Sequence, residues 1–259
     1  MIKDYEDHPS IIKIKENLKA DANTGTFEFS NTDHNEIAKQ IKSLKTDTST
    51  GEDQIPTKIV KLSTQYLIKP LTNAINSSIN SGIFPHKAKR AAVCPLDKGG
   101  KDKTKLTNYR PVSVLNVFSK IFEKVMKEQI TTYMNSHFSP YLSAYRKNYG
   151  TQHVLMRLLE EWKNSLDKNY VVGGVLMDLS KAFDCVPHDL IIAKLSAYGF
   201  SNSSLMFLLS YLTNREQSTR LNNCYSSFQE LVSGVPQGSI LGPIIFNIFM
   251  NDLFFFSFK

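Results

Sequence analysis

Between Ser113 and Met134, Val114, Leu115, Val117, Phe118, Ile121, Phe122, Val125, Met126 and Ile130 recur at three- and four-residue intervals, with Lys120, Glu123, Lys124 and Lys127 assigned to the opposite side. That spacing lines one face of an α-helix. A helix with so broad an apolar face is stable only against a core. The chain can supply one, because 259 residues with 41% apolar content suffice for one large domain or two small ones.

Elements of both kinds surround this stretch. Ile37, Ile41 and Leu44 recur at helical spacing from Asn35, and Pro56 opens a second helical stretch to about Asn80. AAVCPLDKGGKDKTKLTNYRPVSVL reads as a basic β-hairpin turning at Gly99-Gly100. Further helices are expected from Thr151 to Asp167, from Pro187 to just before Gly199, and from Leu205 to Leu212. YVVGGVLM, residues 170–177, is β-branched and apolar and predicts a buried strand, and short strands are expected around Ser218 to Val232. Helices and hairpins mix without βαβ alternation, so the fold class is α+β. Residues 1–33 lack a strong period and read as a linker or tail, which leaves 34–259 as the structured domain.

Cys94, Cys185 and Cys224 are far apart with no CxxC pair, against a zinc or disulfide framework and for a reducing compartment. MIKDYEDHPS is charged from its third residue, unlike a secretory signal. The longest apolar run, Ile240 to Phe256, is broken by Gly242, Pro243, Asn247, Asn251 and Asp252, too often for a bilayer span. The expectation is a soluble intracellular protein of cytoplasm or nucleus, with no membrane partner. Its net charge of +7 is concentrated: Pro85 to Thr131 hold 11 basic and 4 acidic residues, and the rest of the chain is balanced. A local basic excess suits contact with phosphates, and equally a solvated face.

Three places could carry chemistry. In VLMDLSKAFD an apolar run delivers Asp178; a carboxylate there needs a partner, either a hard cation shared with the Leu179 carbonyl or the first turn of a following helix. Phe183 alone would be a core aromatic and Asp184 a turn residue. In NYRP, Arg110 can fork onto phosphate in a way a lysine cannot. In SGVPQGSILGPIIFNIFMNDL, residues 233–253, Gly234, Pro236, Gln237 and Gly238 form a turn whose backbone can approach a ligand, with Ser239 as helix cap and Pro243 early in the helix.

Taken in order, these blocks resemble the reverse transcriptase domain of non-LTR, LINE-like retrotransposons, over Asn35 to Phe256. TSTGEDQIP is similar to the family's amino-terminal loop, NYRPVSVLNVFSKIFEKVM to its fingers motif, VLMDLSKAFDCVPHDLIIAKLSAYGF to its first catalytic palm motif, and SGVPQGSILGPIIFNIFMNDL to its PQG motif. The resemblance implies a right-hand polymerase fold that copies an RNA template from a DNA primer with deoxynucleoside triphosphates and two Mg²⁺ ions. It implies that Asp178 and the Leu179 carbonyl hold metal, that Arg110, with Lys98 or Lys101, binds the triphosphate, that Phe183 lies under the sugar and rejects a 2′-hydroxyl, and that Gln237 and Gly238 lie against the nascent base pair.

The family continues with an aromatic-Ala-Asp-Asp hairpin, and the chain ends in NDLFFFSFK without one. The resemblance therefore implies fingers and a partial palm, no thumb, no upstream endonuclease, inactivity of this chain alone, and exposed apolar surface with marginal stability around Ile244 to Phe256. Two further readings stand beside the polymerase: a catalytically dead element remnant that still binds nucleic acid, and an RNA-copying RNA polymerase, which Phe183 disfavours.

Overall fold

The computed structural model describes residues 5–20, 25–99, 102–222 and 224–256. Helices α1 (Pro9–Ala20), α2 (His34–Lys42), α3 (Thr57–Leu62) and α4 (Thr64–Ser81) precede strands β1 (Arg90–Asp97) and β2 (Tyr109–Leu115). Then come α5 (Val117–Met134), α6 (Thr151–Asp167), α7 (His188–Ala197), α8 (Asn202–Leu212), β3 (Arg215–Leu221), β4 (Cys224–Tyr225), β5 (Gln229–Leu231) and α9 (Gly242–Asn251). The molecule is a mixed α/β structure with one sheet, in agreement with the α+β class.

Local chemistry explains most boundaries. Asp33, Asn116 and Ser201 cap α2, α5 and α8, each side chain accepting a hydrogen bond from the backbone N–H three residues on. Pro56 and Pro187 precede α3 and α7, and Gly82 and Gly199, both at positive φ, follow α4 and α7. The single helix expected from Pro56 to Asn80 is divided at Ser63, whose ψ of 9° leaves helical geometry. There the Thr64 hydroxyl donates to the Lys61 carbonyl freed by the break.

The hairpin pairs β1 and β2 antiparallel, Leu96 opposite Arg110 and Asp97 opposite Tyr109. β1 also pairs in parallel with β3, so it is central and buries Ala91, Ala92 and Val93 consecutively, as a strand covered on both faces does. β5 and β4 pair antiparallel with β3. One continuous apolar core runs from Ile14 through α5 to Ile248.

Four expectations are corrected. Residues 1–33 were read as linker or tail, yet α1 lies there with Ile11 and Ile14 buried, and Phe27 and Phe29 are in the core. Phe27 bridges Phe200 in parallel, accepting from the Ser201 N–H and donating to the Gly199 carbonyl. The signal was an i, i+3 pair too short to register as a period. Second, residues 170–177 form no strand; Val171 and Leu176 are fully exposed, because a β-sequence becomes a strand only beside a hydrogen-bonding neighbour and no described residue offers one. Third, of the apolar surface expected around Ile244 to Phe256, Leu253 and Phe254 after α9 are exposed, whereas Ile244, Ile245 and Ile248 of α9 are buried. More exposed apolar side chains lie on residues 170–177 and on α6, which buries no residue. Fourth, Glu123, assigned to the polar side of α5, has no exposed surface at all, since it is aligned with Ser119, Met126 and Ile130 on the buried face.

Candidate active site

A cleft of about 750 Å³ opens between the β1–β2 hairpin, the turn at residues 180–185 and the Gly-Pro-Gln turn ahead of α9. Lys98, Arg110, Asp178, Leu179, Phe183 and Gln237 all line it, with Tyr109 and Leu106. Six of the eight residues singled out from the sequence thus meet in one cavity. Gly238, which follows Gln237, is not among the lining residues, and Lys101 lies outside the described residues.

The hairpin places its two cations by register. The Lys98 N–H donates to the Asn108 carbonyl at 2.9 Å and its Nζ to the Thr107 carbonyl at 2.7 Å, folding the base of the loop back on itself. Arg110 projects from β2 and is exposed. Across the cleft the chain passes Asp178 and turns at Lys181 (φ 52°), where the Asp184 N–H donates to the Lys181 carbonyl at 2.9 Å. Asp178 caps no helix, since turns follow it until α7. Phe183 stacks on Phe246 of α9 at 4.9 Å between centroids, and Tyr145 meets it edge-on at 6.0 Å. Both neighbours, missed in the sequence, hold the ring that lines the cleft.

The Gly-Pro-Gln turn is bound on two sides. Towards residues 183–188, the Gly234 N–H donates to the Val186 carbonyl at 2.8 Å, the Val235 N–H to the Phe183 carbonyl at 2.9 Å, and the Ser233 hydroxyl to the Asp184 carbonyl at 3.1 Å. His188 Nε2 lies 2.7 Å from the Gly234 carbonyl, which can only accept, so the proton sits on Nε2. A Cβ on Gly234 (φ 80°) would fall 2.6 Å from the Phe183 carbonyl oxygen. Towards β2, the Ser113 N–H donates to the Gln237 carbonyl at 2.7 Å, and a Cβ on Gly238 (φ 112°) would fall 2.5 Å from the Ser113 carbonyl oxygen. These are the close backbone approaches that glycine permits. Ser239 Oγ accepts from the Gly242 N–H at 2.9 Å, although the residue at the N-cap of α9 is Leu241 and not Ser239 as expected.

The sequence pattern of the family described as "Reverse transcriptase (RNA-dependent DNA polymerase)" matches residues 98–256, from Lys98 of the hairpin through α9. The chain belongs to the reverse transcriptase family. It is 30% identical over 84% of its length to the "Probable RNA-directed DNA polymerase from transposon BS" of Drosophila melanogaster, covering 24% of that protein. It is 27% identical, with the same 84% and 24% coverages, to the "RNA-directed DNA polymerase from mobile element jockey" of Drosophila funebris. The chain thus spans about a quarter of the length of these curated relatives. The resemblance to non-LTR retrotransposon reverse transcriptases carried by the four sequence blocks is borne out.

Reverse transcriptases as a family use divalent metal ions and bind template, primer and deoxynucleoside triphosphates. In this reverse transcriptase domain the cleft is lined by Asp178, Leu179 and Asp184, two carboxylates with the Leu179 carbonyl beside the first; among the described residues no group of three or more His, Cys, Asp or Glu could hold a metal ion. Those oxygen donors suit a hard divalent cation whose coordination phosphate and water complete. Among the described residues no helix is long and apolar enough to cross a membrane.

Proposed function

We propose that this chain carries the fingers and part of the palm of an RNA-directed DNA polymerase with the right-hand fold, a unit into whose core α1, Phe27 and Phe29 also pack, working inside the cell in cytoplasm or nucleus. The observation that carries the reading is the meeting of Lys98, Arg110, Asp178, Phe183 and Gln237 in one cleft from four separate segments. Arg110, with Lys98 beside it, binds the triphosphate of an incoming nucleotide, its fork matching two phosphate oxygens. Asp178 and the Leu179 carbonyl orient a Mg²⁺ ion, which when bound offsets phosphate charge during nucleotidyl transfer. Phe183, braced by Phe246, closes the space that a 2′-hydroxyl would need. Gln237 and Gly238 present a nearly bare backbone to the pair of template and primer bases.

A second reading, nucleic-acid binding without polymerisation, is favoured by the absence, among the described residues, of any group of three or more His, Cys, Asp or Glu that could hold a metal ion, the cleft itself being lined by two carboxylates, Asp178 and Asp184. Two measurements separate them. In primer extension on an RNA template with Mg²⁺, incorporation that Asp178→Ala abolishes supports the polymerase; incorporation surviving that change would remove Asp178 from its role. Fluorescence anisotropy with an RNA-template/DNA-primer duplex across a KCl series gives the second. Salt-sensitive, sequence-tolerant binding without incorporation supports the binder, and affinity absent or indifferent to salt would sink both.

A further inference from the structure

Glu123 lies in the middle of the core without an apolar reason to be there. Its Oε2 accepts from the N–H groups of Ile240 at 2.5 Å and Leu241 at 3.3 Å, and its Oε1 accepts from the Tyr211 hydroxyl at 3.1 Å. The two amides immediately precede α9, where no residue of that helix can satisfy them. Arg215 of β3 is 1% exposed, donates to the Tyr211 carbonyl at 3.0 Å, and opposes the burial cost of the carboxylate. Had the site called only for packing, a methionine or leucine would fill it without burying a charge. What the carboxyl adds is two acceptors aimed at the backbone three and four residues beyond Gln237.

We propose that Glu123 is a positioning residue: by holding the Ile240 and Leu241 amides it sets where Gln237 and Gly238 stand at the cleft, and so how a template–primer duplex seats against them. The proposal rests on reading the cleft as that of a polymerase. The bond from the Ser113 N–H to the Gln237 carbonyl reports the position of the turn, because Ser113 belongs to β2 and has no bond to Glu123.

The test compares the 259-residue chain with Glu123→Met, which keeps volume and removes the acceptors, and Glu123→Gln, whose amide oxygen can take both N–H bonds while its NH₂ faces the Tyr211 oxygen. Amide hydrogen exchange is expected to show protection at Ile240, Leu241 and Ser113 falling about tenfold or more in the Met chain and returning in the Gln chain, with Val125 and Met126 of α5 unchanged. Affinity for an RNA-template/DNA-primer duplex is expected to fall about tenfold in the Met chain and to stay within about threefold in the Gln chain. Where the Met chain does not fold, Glu123→Asp, which withdraws the acceptors by one methylene, serves in its place with the same expected pattern. Uniform loss of protection, native protection at the three amides, or a Met chain that binds duplex as the native one does would overturn the proposal. A native chain that binds no duplex would instead overturn the reading of the cleft, and the exchange pattern would still decide whether Glu123 positions the turn.

Discussion

Gly234 and Gly238 each combine positive φ with a backbone oxygen less than 3 Å from where a Cβ would stand. Alanine at either is therefore expected to cost about 2 kcal/mol or more in urea-unfolding stability, through strain and displacement together; a change under about 0.5 kcal/mol would mean that the turn yields freely. Glu123 gives a pH signature. Burial raises its pKa, against the opposing influence of Arg215 on β3, the Ile240 and Leu241 amides and Tyr211 on α8, with Lys120 one turn away on α5. A carboxyl raised on folding contributes stability that is present below the unfolded value of 4.5 and lost as pH rises through the folded value. The stability of Glu123→Gln relative to the native chain is thus expected to increase from pH 4.5 towards pH 7 in denaturation series, and a flat difference would contradict the raised value. Asp178, Arg110 and Gln237 came forward in the sequence through the ordered motifs that contain them, since each alone reads equally as a cap, a surface hairpin residue or a loop residue. Glu123 and His188 were not, because the atoms they bind belong to a segment more than 40 positions away, and no local pattern announces such a partner.

The hairpin and the helices near Thr151, Pro187 and Leu205 lie close to their expected bounds, whereas Val114 and Leu115, counted with the helical stripe, belong to β2 and the stretch from Pro56 is two helices. The stretch 170–177 was read as a strand on composition alone, and the structure shows that composition supplies only half of what a strand needs. It lies beside α6, whose Leu155, Met156, Leu159 and Leu166 are exposed. Replacing Leu155 and Leu159 by glutamine is expected to change stability by less than about 0.5 kcal/mol per site while reducing binding of a hydrophobic dye. A larger loss would show that α6 is covered in solution. The opposite holds where α7 meets the end of α9: Lys194 Nζ donates to Asp252 Oδ1 and to the Phe249 carbonyl, both at 2.6 Å, with both charged side chains nearly inaccessible. Lys194→Met is expected to cost about 3–5 kcal/mol, because it strands a buried carboxylate, and the double change Lys194→Met with Asp252→Asn to recover much of that in the same denaturation assay.

At the scale of the molecule, one continuous core links α1 to α9, and the basic excess is divided between the hairpin rim of the cleft and α5. A single cooperative unfolding transition, seen alike by near-ultraviolet dichroism and by exchange of core amides, is expected from the first feature; separated transitions would divide the core. The location of α6 outside that core has a spectroscopic consequence. The chain's one tryptophan, Trp162, stands on α6 at 42% exposure, while the interior is built with phenylalanine and tyrosine. Its emission is a beacon on the outer wall, red-shifted already in the native state and nearly blind to melting of the interior. A blue shift on adding a second component would then announce occupancy of that wall, with no label attached.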